Sequence, residues 1–154
     1  YNFEDRRWQL NIAMDNVVNI RPFALADRAA VVNLWRLVFA EDPPWNEPNL
    51  VIDTKLTVQP QLFFVAELEG EVVGTTVAGF DGVRGWVHHV AVHPDAQRKG
   101  IASLLMTAAE AGLRKMGCQK LNLQVRASNT SVLEFYEELG FQKEDRISFG
   151  KRLE

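Results

Sequence analysis

Cysteine is almost absent from this 154-residue sequence, which contains only Cys118. A single cysteine cannot form a disulfide within the chain or supply a cysteine-based metal site. The low cysteine content fits a reducing compartment, so we expect a cytoplasmic protein. His88, His89 and His93 have no carboxylate at metal-ligand spacing, so we predict no metal site.

Long apolar runs and excess positive charge are also missing. No stretch of 18 apolar residues occurs, so we expect no membrane-spanning helix and no membrane partner. A formal charge of -3 and a pI of about 5.7 argue against nucleic acid as the main partner. Residues 1–13 contain four charges and no apolar core, unlike a secretory signal. We expect residues 1–16 to be an extension, part of which need not be native, and residues 17–154 to form one domain.

Hydrophobic periodicity and turn residues predict the secondary structure. Strands are predicted over 17–22, 62–68, 72–79, 86–92 and 121–126, helices over 27–40, 50–57, 100–116 and 131–139, and a last hairpin over 141–153. Turns at Glu69-Gly70 and Asp81-Gly82 join the middle strands. This order indicates an α/β fold with a mixed sheet, helices on both faces and one parallel crossover around the helix over 100–116.

The connection between the strand over 86–92 and the next helix has the composition of an anion site. Backbone N–H groups at a helix start have no intrahelical partner and lie at the positive end of the helix dipole, so they can bind a diphosphate. Gly100 leaves room there, and Arg98 and Lys99 add positive charge. An ordinary strand-to-helix turn with a solvated basic pair is the alternative. The glycine patterns of dinucleotide-binding and P-loop proteins are absent.

Two segments resemble the signatures of the GCN5-related N-acetyltransferase (GNAT) superfamily. The run from Gln97 to Ala102 matches its Q/R-x-x-G-x-G/A signature, and the run from Asn129 to Phe141 matches N-x-x-x-x-x-x-Y-x-x-x-G-F. The resemblance implies a mixed, mostly antiparallel sheet of six to seven strands with about four helices. Residues 125–129 are similar to the RimI-like branch, whereas residues 44–48 and 148–153 are similar to the YpeA-like branch, which we favour.

The resemblance also implies a reaction. An enzyme of this type transfers the acetyl group of acetyl-CoA to a primary amine of a small molecule or protein, by direct attack in a ternary complex. The implied coenzyme contacts are the backbone of the strand end, the phosphate loop and the second signature, namely Val90, Ala91, Val92, Gln97, Arg98, Lys99, Gly100, Ile101, Ala102, Ser103, Asn129 and Tyr136. Tyr136 would protonate the departing thiolate, although it could equally be a core aromatic. Homodimers are common in the superfamily, so a homodimer is a candidate assembly.

The general base is less clear from the sequence. RimI-like enzymes have a glutamate where this chain has Gln124, which cannot accept a proton at neutral pH. His88 is the next candidate, because strand alternation puts it on one face with Trp86, Val90 and Val92. A satisfied polar residue in the cleft is the alternative for His88. Alternation puts His89 on the other face, where a structural role is expected, and His93 at the strand end is expected to be a bystander.

The loop after the first helix is the expected acceptor side. Its acids Glu41, Asp42 and Glu47 flank Trp45, and acids with an aromatic suit a cationic amine. The alternative is a solvated loop with Trp45 inserted into the core. We predict that Trp45, Asn46 and Gln124 bind the acceptor. A non-catalytic acyl-CoA sensor is the alternative function, and Gln124 favours it.

Overall fold

The computed structural model describes residues 17–153, and the predicted extension over residues 1–16 lies outside them. Within the described residues the elements are β1 (Val18–Pro22), α1 (Arg28–Val38), α2 (Pro48–Lys55), β2 (Phe63–Leu68), β3 (Glu71–Phe80), β4 (Gly85–Val92), α3 (Ile101–Lys115), β5 (Leu121–Asn122) and α4 (Thr130–Glu138). Residues 17–123 and 124–153 form two compact units, which are described separately below. The expectation of one domain over 17–154 stays a prediction.

The five strands of the first unit form one sheet in the order β1-β2-β3-β4-β5. The first three pairings are antiparallel, and β5 pairs with β4 in parallel through Gly85 and Trp86. Because α3 lies between β4 and β5 in the chain, the predicted parallel crossover is confirmed. The predicted mixed, mostly antiparallel sheet is confirmed as well.

Helices cover both faces of this sheet, as predicted. Alternate residues of β2 point to opposite sides, so Phe63 and Val65 join one core cluster while Ala66 joins another. The first cluster contains α1 and α2 residues, namely Val31, Val32, Leu34, Trp35 and Ile52. The second contains Ile101 and Leu105 of α3. The face covered by α1 and α2 is called the α1 face below, and the opposite one the α3 face.

A glycine in β3 allows α3 to approach the sheet closely. A Cβ atom on Gly74 would lie 3.1 Å from a methyl group of Leu105 and 3.2 Å from one of Ile101. Both side chains are buried, with exposed fractions of 0% and 2%. The first turn of α3 is therefore anchored on the strand next to β4.

Two strand predictions for the end of the chain are wrong. The strand expected over 121–126 is limited to Leu121–Asn122, and no strand is present over 141–153. Alternating polar and apolar residues suit a strand, but its backbone groups also need a partner strand. In the unit over 124–153, α4 is the one regular element among the described residues, and Ile147, Phe149 and Leu153 are more than 80% exposed. The sheet consequently has five described strands instead of six or seven.

An ion-pair network connects β1, β2 and the start of α1. The Arg21 guanidinium donates two hydrogen bonds to the Asp27 carboxylate, at 2.7 and 2.9 Å, and two longer ones to Glu67, at 3.1 and 3.5 Å. Asp27 is only 7% exposed and also accepts the Ala24 N–H at 2.8 Å. These bonds, led by those from Arg21, hold the pKa of Asp27 below its usual range.

Arg21→Met should therefore destabilise the fold. The substitution keeps an apolar stem but leaves the buried Asp27 carboxylate without its cation, which costs about 1–3 kcal/mol. Arg28→Met is the matched control, because Arg28 pairs at 2.6 Å with Asp53, whose side chain is 62% exposed. Exposed pairs contribute about 0–1 kcal/mol. Urea unfolding at pH 7 measures both losses, and equal losses would contradict a special role for the Arg21 network.

Candidate active site

The segment after β4 makes a tight turn before it enters α3. His93 Nδ1 accepts the Asp95 N–H at 3.1 Å, and Pro94–Ala96 forms one short 3-10 turn. Two residues then take positive φ angles, Arg98 at +64° and Gly100 at +74°. Residues 97–100 are exposed to solvent. The loop therefore lies on the surface between the end of β4 and the helix start, where the sequence predicted it.

The start of α3 has backbone donors with no side-chain cap. Gly100 is the N-cap residue and supplies no capping hydrogen bond. The first helical bond runs from the Leu104 N–H to the Gly100 carbonyl at 3.1 Å, so the N–H groups before it have no acceptor within the helix. Arg98 and Lys99 lie directly before this helix end. Backbone donors, a helix dipole and two cations are a donor set that fits a diphosphate.

A β-bulge interrupts β4. Thr75 of β3 pairs with Ala91 and Val77 pairs with His88, so the single residue Thr76 faces two residues, His89 and Val90. His89 has a φ of +50°, which is uncommon for a residue with a Cβ atom. The bulge lies between the two halves of β4, which carry different predicted site residues.

The bulge overturns the predicted alternation of β4. His88 pairs with Val77, a residue of the α1-face core, and so lies on that face. Beyond the bulge, Ala91 lies on the α1 face and Val92 on the α3 face, so Val92 does not share a face with His88. His89 was expected on the opposite face. Instead its ring packs against Trp35 of α1, with centroids 4.4 Å apart and the ring planes tilted by 41°.

One edge of β4 has no strand neighbour among the described residues over most of its length. Among the described strands, β5 pairs with β4 only at Gly85 and Trp86, and the other side of β4 pairs with β3. The residues from Val87 to Val92 therefore have no strand neighbour on the β5 side within the described part of the chain. This edge includes Val90, Ala91 and Val92, whose backbone the sequence assigned to coenzyme binding. Such an edge can accept an extended ligand as an additional strand.

Lys55 lies beside His88, and the sequence analysis missed it. Its ammonium group donates a hydrogen bond to the Ala78 carbonyl, and a Cβ on Gly79 would lie 3.6 Å from Nζ. Burial lowers the pKa of Lys55. One signal was available: Lys55 follows the buried Ile52 by three residues, which places both on the same side of α2.

His88 has an exposed side chain in a positively charged environment. Partial removal from water, and secondly the charge of Lys55, lower the pKa of His88. A lowered pKa leaves the imidazole neutral at pH 7, as a proton acceptor must be. It also makes His88 a weaker base. The structure therefore gives His88 the protonation state that the sequence prediction requires, and the catalytic role itself stays a prediction.

The loop between α1 and α2 lies beside the bulge. Pro44–Asn46 forms a 3-10 turn, and the Asn46 amide donates to Asp42 at 3.3 Å. The Asp42 carboxylate is near enough to His89 to raise its pKa, although burial lowers that pKa more strongly. Trp45 is 52% exposed, so the alternative that placed this side chain in the core is wrong.

One of the three acids in this loop has a structural role. Glu47 accepts the Leu50 N–H at 3.0 Å and thereby caps α2, and Arg36 lies 3.5 Å from its other oxygen. The negative charge of Glu47 is therefore partly compensated by contacts within the fold. Asp42 is the acid of this loop whose charge acts on β4.

The unit over 124–153 contains the second sequence signature. Asn129 precedes α4, and Gly140 follows it with a φ of +93°, as expected for a residue that ends a helix. Tyr136 is 9% exposed, with edge-to-face contacts to Phe135 and Phe141 at 5.0 and 5.6 Å. Burial raises the pKa of Tyr136 to about 12. Gln124 donates from Nε2 to Ser148 Oγ at 2.7 Å.

No group of three or more His, Cys, Asp or Glu side chains in residues 17–153 could hold a metal ion. No helix in this range has the length and apolar content needed to cross a bilayer.

Comparison with known protein families identifies the family of this chain. The model of the acetyltransferase (GNAT) family matches residues 29–141. The chain belongs to the GNAT acetyltransferase family. The matched range contains both signatures, the bulged β4 and the start of α3. An acetyltransferase of Pectobacterium atrosepticum is 42% identical over 136 residues, which are 88% of this chain and 96% of that protein.

Solved structures agree with this assignment. Ard1 from Thermoplasma volcanium superposes with a TM-score of 0.73 at 26% identity, over 81% of this chain and 82% of its own. AAC(6')-Iy, in complex with a bisubstrate analogue containing CoA, has a TM-score of 0.76 at 17% identity, over 89% and 99% of the two chains. The predicted α/β GNAT fold is confirmed, and the chain is an acetyltransferase enzyme. The YpeA-like branch stays a prediction.

His89, which packs against Trp35, should make the stability of this GNAT protein depend on pH. Because the pKa of His89 is lowered in the folded state, the unfolded chain binds the proton more tightly. The free energy of unfolding should therefore fall as the pH decreases from 7 through about 6.5, the usual pKa of histidine. In His89→Asn, which tolerates a positive φ, this decrease between pH 7 and 5 should be smaller. Chemical denaturation at several pH values measures it, and an unchanged slope would contradict the prediction.

Proposed function

We propose that this enzyme transfers the acetyl group of acetyl-CoA to a primary amine of a small molecule or protein. The amine nitrogen attacks the thioester carbon directly while both substrates are bound, so no acetylated enzyme is formed. The observation that carries the proposal is the uncapped N-terminus of α3, with Arg98 and Lys99 before it, directly after the open edge of β4.

The phosphate loop binds the pyrophosphate of the donor. The hydrogen-bond donors to the pyrophosphate come from the loop and the first turn of α3, namely Gln97, Arg98, Lys99, Gly100, Ile101, Ala102 and Ser103. Gly100 has its positive φ and no atom within 4 Å of a Cβ position, so the space above the helix end is open. Backbone donors there need no rearrangement to accept an anion. A related protein, AAC(6')-Iy, was solved with a CoA-containing analogue, which supports this donor.

The edge of β4 binds the pantetheine arm. Within the stretch Val90, Ala91 and Val92, every second residue presents its backbone groups on the side that lacks a described strand. An extended arm can pair with them as an extra strand would, and a backbone N–H directed at the thioester oxygen stabilises negative charge in the transition state. Asn129, before α4, is the further coenzyme contact that the second signature supplies.

The acceptor must lose a proton before it attacks. A lysine-like amine has a pKa near 10.4, so its neutral form costs roughly 4–5 kcal/mol at pH 7. The Lys55 ammonium lies on the acceptor side of β4, and a nearby positive charge favours a neutral amine. His88 is neutral there and can accept the proton directly or through water. Lys55 and His88 therefore both favour the neutral form of the acceptor amine, which is the form that attacks the thioester.

The acceptor side is formed by the loop between α1 and α2. Trp45 is partly exposed, and Asn46 of the same turn donates a hydrogen bond to Asp42 of the same loop. A cationic or hydrophobic part of the acceptor can pack on Trp45 away from its reacting amine. Gln124, which is also predicted to bind the acceptor, contributes an amide where RimI-like enzymes have a glutamate.

Release of free thiol from acetyl-CoA tests the proposed function. The assay combines the purified chain and acetyl-CoA with separate amines: polyamines, amino sugars, and peptides with a free N-terminus or a lysine. Thiol release with at least one amine, together with an acetylated product found by mass spectrometry, is expected. Binding of acetyl-CoA without turnover on any amine would instead support a sensor.

Gly100→Glu should weaken donor binding. The carboxylate would project toward the pyrophosphate and repel it, and a loss of about 1.4 kcal/mol raises the KM for acetyl-CoA tenfold. Gly82→Glu is a matched control. Gly82 also has a positive φ, +94°, and no neighbour at its Cβ position, but it lies in the turn before β4. Similar KM values for the two variants would show that the pyrophosphate binds elsewhere.

Tyr136→Phe should slow turnover with little change in donor binding. The Tyr136 hydroxyl stays protonated because its pKa is about 12, and it can donate to the departing sulfur. A lost general acid reduces kcat by about 100-fold. The KM for acetyl-CoA should stay within about twofold of the wild-type value, because the substitution removes no strong contact to the bound coenzyme. An unchanged kcat with a higher thermal midpoint would indicate a core aromatic only.

A further inference from the structure

Two hydrogen bonds, one buried and one partly buried, connect α1 to the bulge in β4. The Trp35 indole N–H donates to Thr75 Oγ1 at 2.8 Å, and the Thr75 hydroxyl donates to the His89 carbonyl at 2.8 Å. An indole N–H can only donate and a carbonyl can only accept, so the direction of both bonds is defined. Trp35 is 2% exposed and Thr75 is fully buried. We call this arrangement the Trp35–Thr75 relay.

The relay ends at the residue that makes β4 irregular. His89 has the positive φ, and its carbonyl is bonded by a side chain from the neighbouring strand. The same indole that starts the relay also packs against the His89 ring at a tilt, and Phe39 contacts that ring edge-on at 5.4 Å. Trp35 therefore holds His89 in two ways, through the ring and through Thr75.

The conformation of His89 determines the direction of the next backbone groups. Directly after the bulge, Ala91 lies on the α1 face and Val92 on the α3 face, the reverse of uninterrupted alternation from His88. The backbone N–H and C=O groups of Val90 to Val92 turn with their side chains. Every second residue of this stretch directs its backbone groups toward the edge of β4 that has no described strand neighbour beyond Trp86.

We propose that the Trp35–Thr75 relay is a positioning device for the acetyl donor, holding the bulge so that the Val90–Val92 edge is aligned with the pantetheine arm. This inference rests on the proposed function. Trp35 and Thr75 act through β4 and are positioning residues. A relay with a purely structural role would affect stability without a selective effect on the donor.

The chain contains a matched pair of threonines for the test. Thr75 and Thr76 are adjacent in β3 and both are fully buried, but Thr76 Oγ1 has no hydrogen-bond partner among the described residues. Thr75→Val removes the relay and keeps the side-chain shape. Thr76→Val makes the same chemical change on the other face of the strand and removes no described hydrogen bond.

The measurements are the KM for acetyl-CoA, the KM for the acceptor and kcat, with coenzyme A binding by calorimetry. We expect Thr75→Val to raise the acetyl-CoA KM and the coenzyme A Kd at least fivefold, with the acceptor KM within twofold. Thr76→Val should stay within twofold of the wild type in all of them. Thr75→Ser, which keeps the hydroxyl, should restore most of the donor affinity.

Several outcomes would overturn the inference. Equal donor constants for Thr75→Val and Thr76→Val would do so, and so would a Thr75→Ser variant as impaired as Thr75→Val. If Thr75→Val does not fold, Trp35→Phe removes the indole N–H together with part of the ring system and keeps one aromatic ring; normal donor binding in that variant would reject the relay. Calorimetry with coenzyme A needs no acceptor. Failure of the proposed function, seen as absent thiol release in the wild type, is therefore distinguishable from failure of the relay.

Discussion

Thr75 accepts a hydrogen bond from Trp35 and donates one to the His89 carbonyl, and the course of β4 beyond that point follows from these two bonds. They connect the first helix to the one irregular position in β4. From there the strand continues with its faces exchanged and ends in the loop before α3. The candidate donor edge and the candidate acceptor face therefore meet at the bulge.

The start of α3 depends on a different constraint, which is close packing. The first turn is anchored through Ile101 against Gly74, while the residues just before it are exposed. A buried first turn fixes the helix axis, and the exposed loop leaves its free N–H groups accessible. A helix end can bind an anion well only when both conditions hold, because a mobile helix would lose the aligned dipole.

Local patterns in the sequence predicted most of the fold, and long-range contacts explain the rest. The helices over 27–40 and 100–116 and the Glu69-Gly70 turn depend on neighbouring residues, and each is present within one or two residues of its predicted bounds. The loop at 97–102 is also predicted correctly, because it too depends on residues that are neighbours in the sequence. The bulge depends on a contact between Trp35 and Thr75, 40 positions apart, which period-2 alternation cannot encode. The prediction of a hairpin over 141–153 is wrong, because an alternating pattern in the sequence does not by itself make two strands pair.

The edge of β4 that has no described strand neighbour also affects the tendency of the protein to self-associate. An uncovered strand edge is a template on which another chain can add a strand, and a straight, regular edge is the most hazardous kind. Here the bulge twists the edge and breaks its register within a run of eight residues. An irregular edge can still accept a flexible, narrow ligand, but it is a poor match for the regular hydrogen-bond spacing of a second polypeptide. The same distortion can thus admit a cofactor-sized chain and discourage self-association.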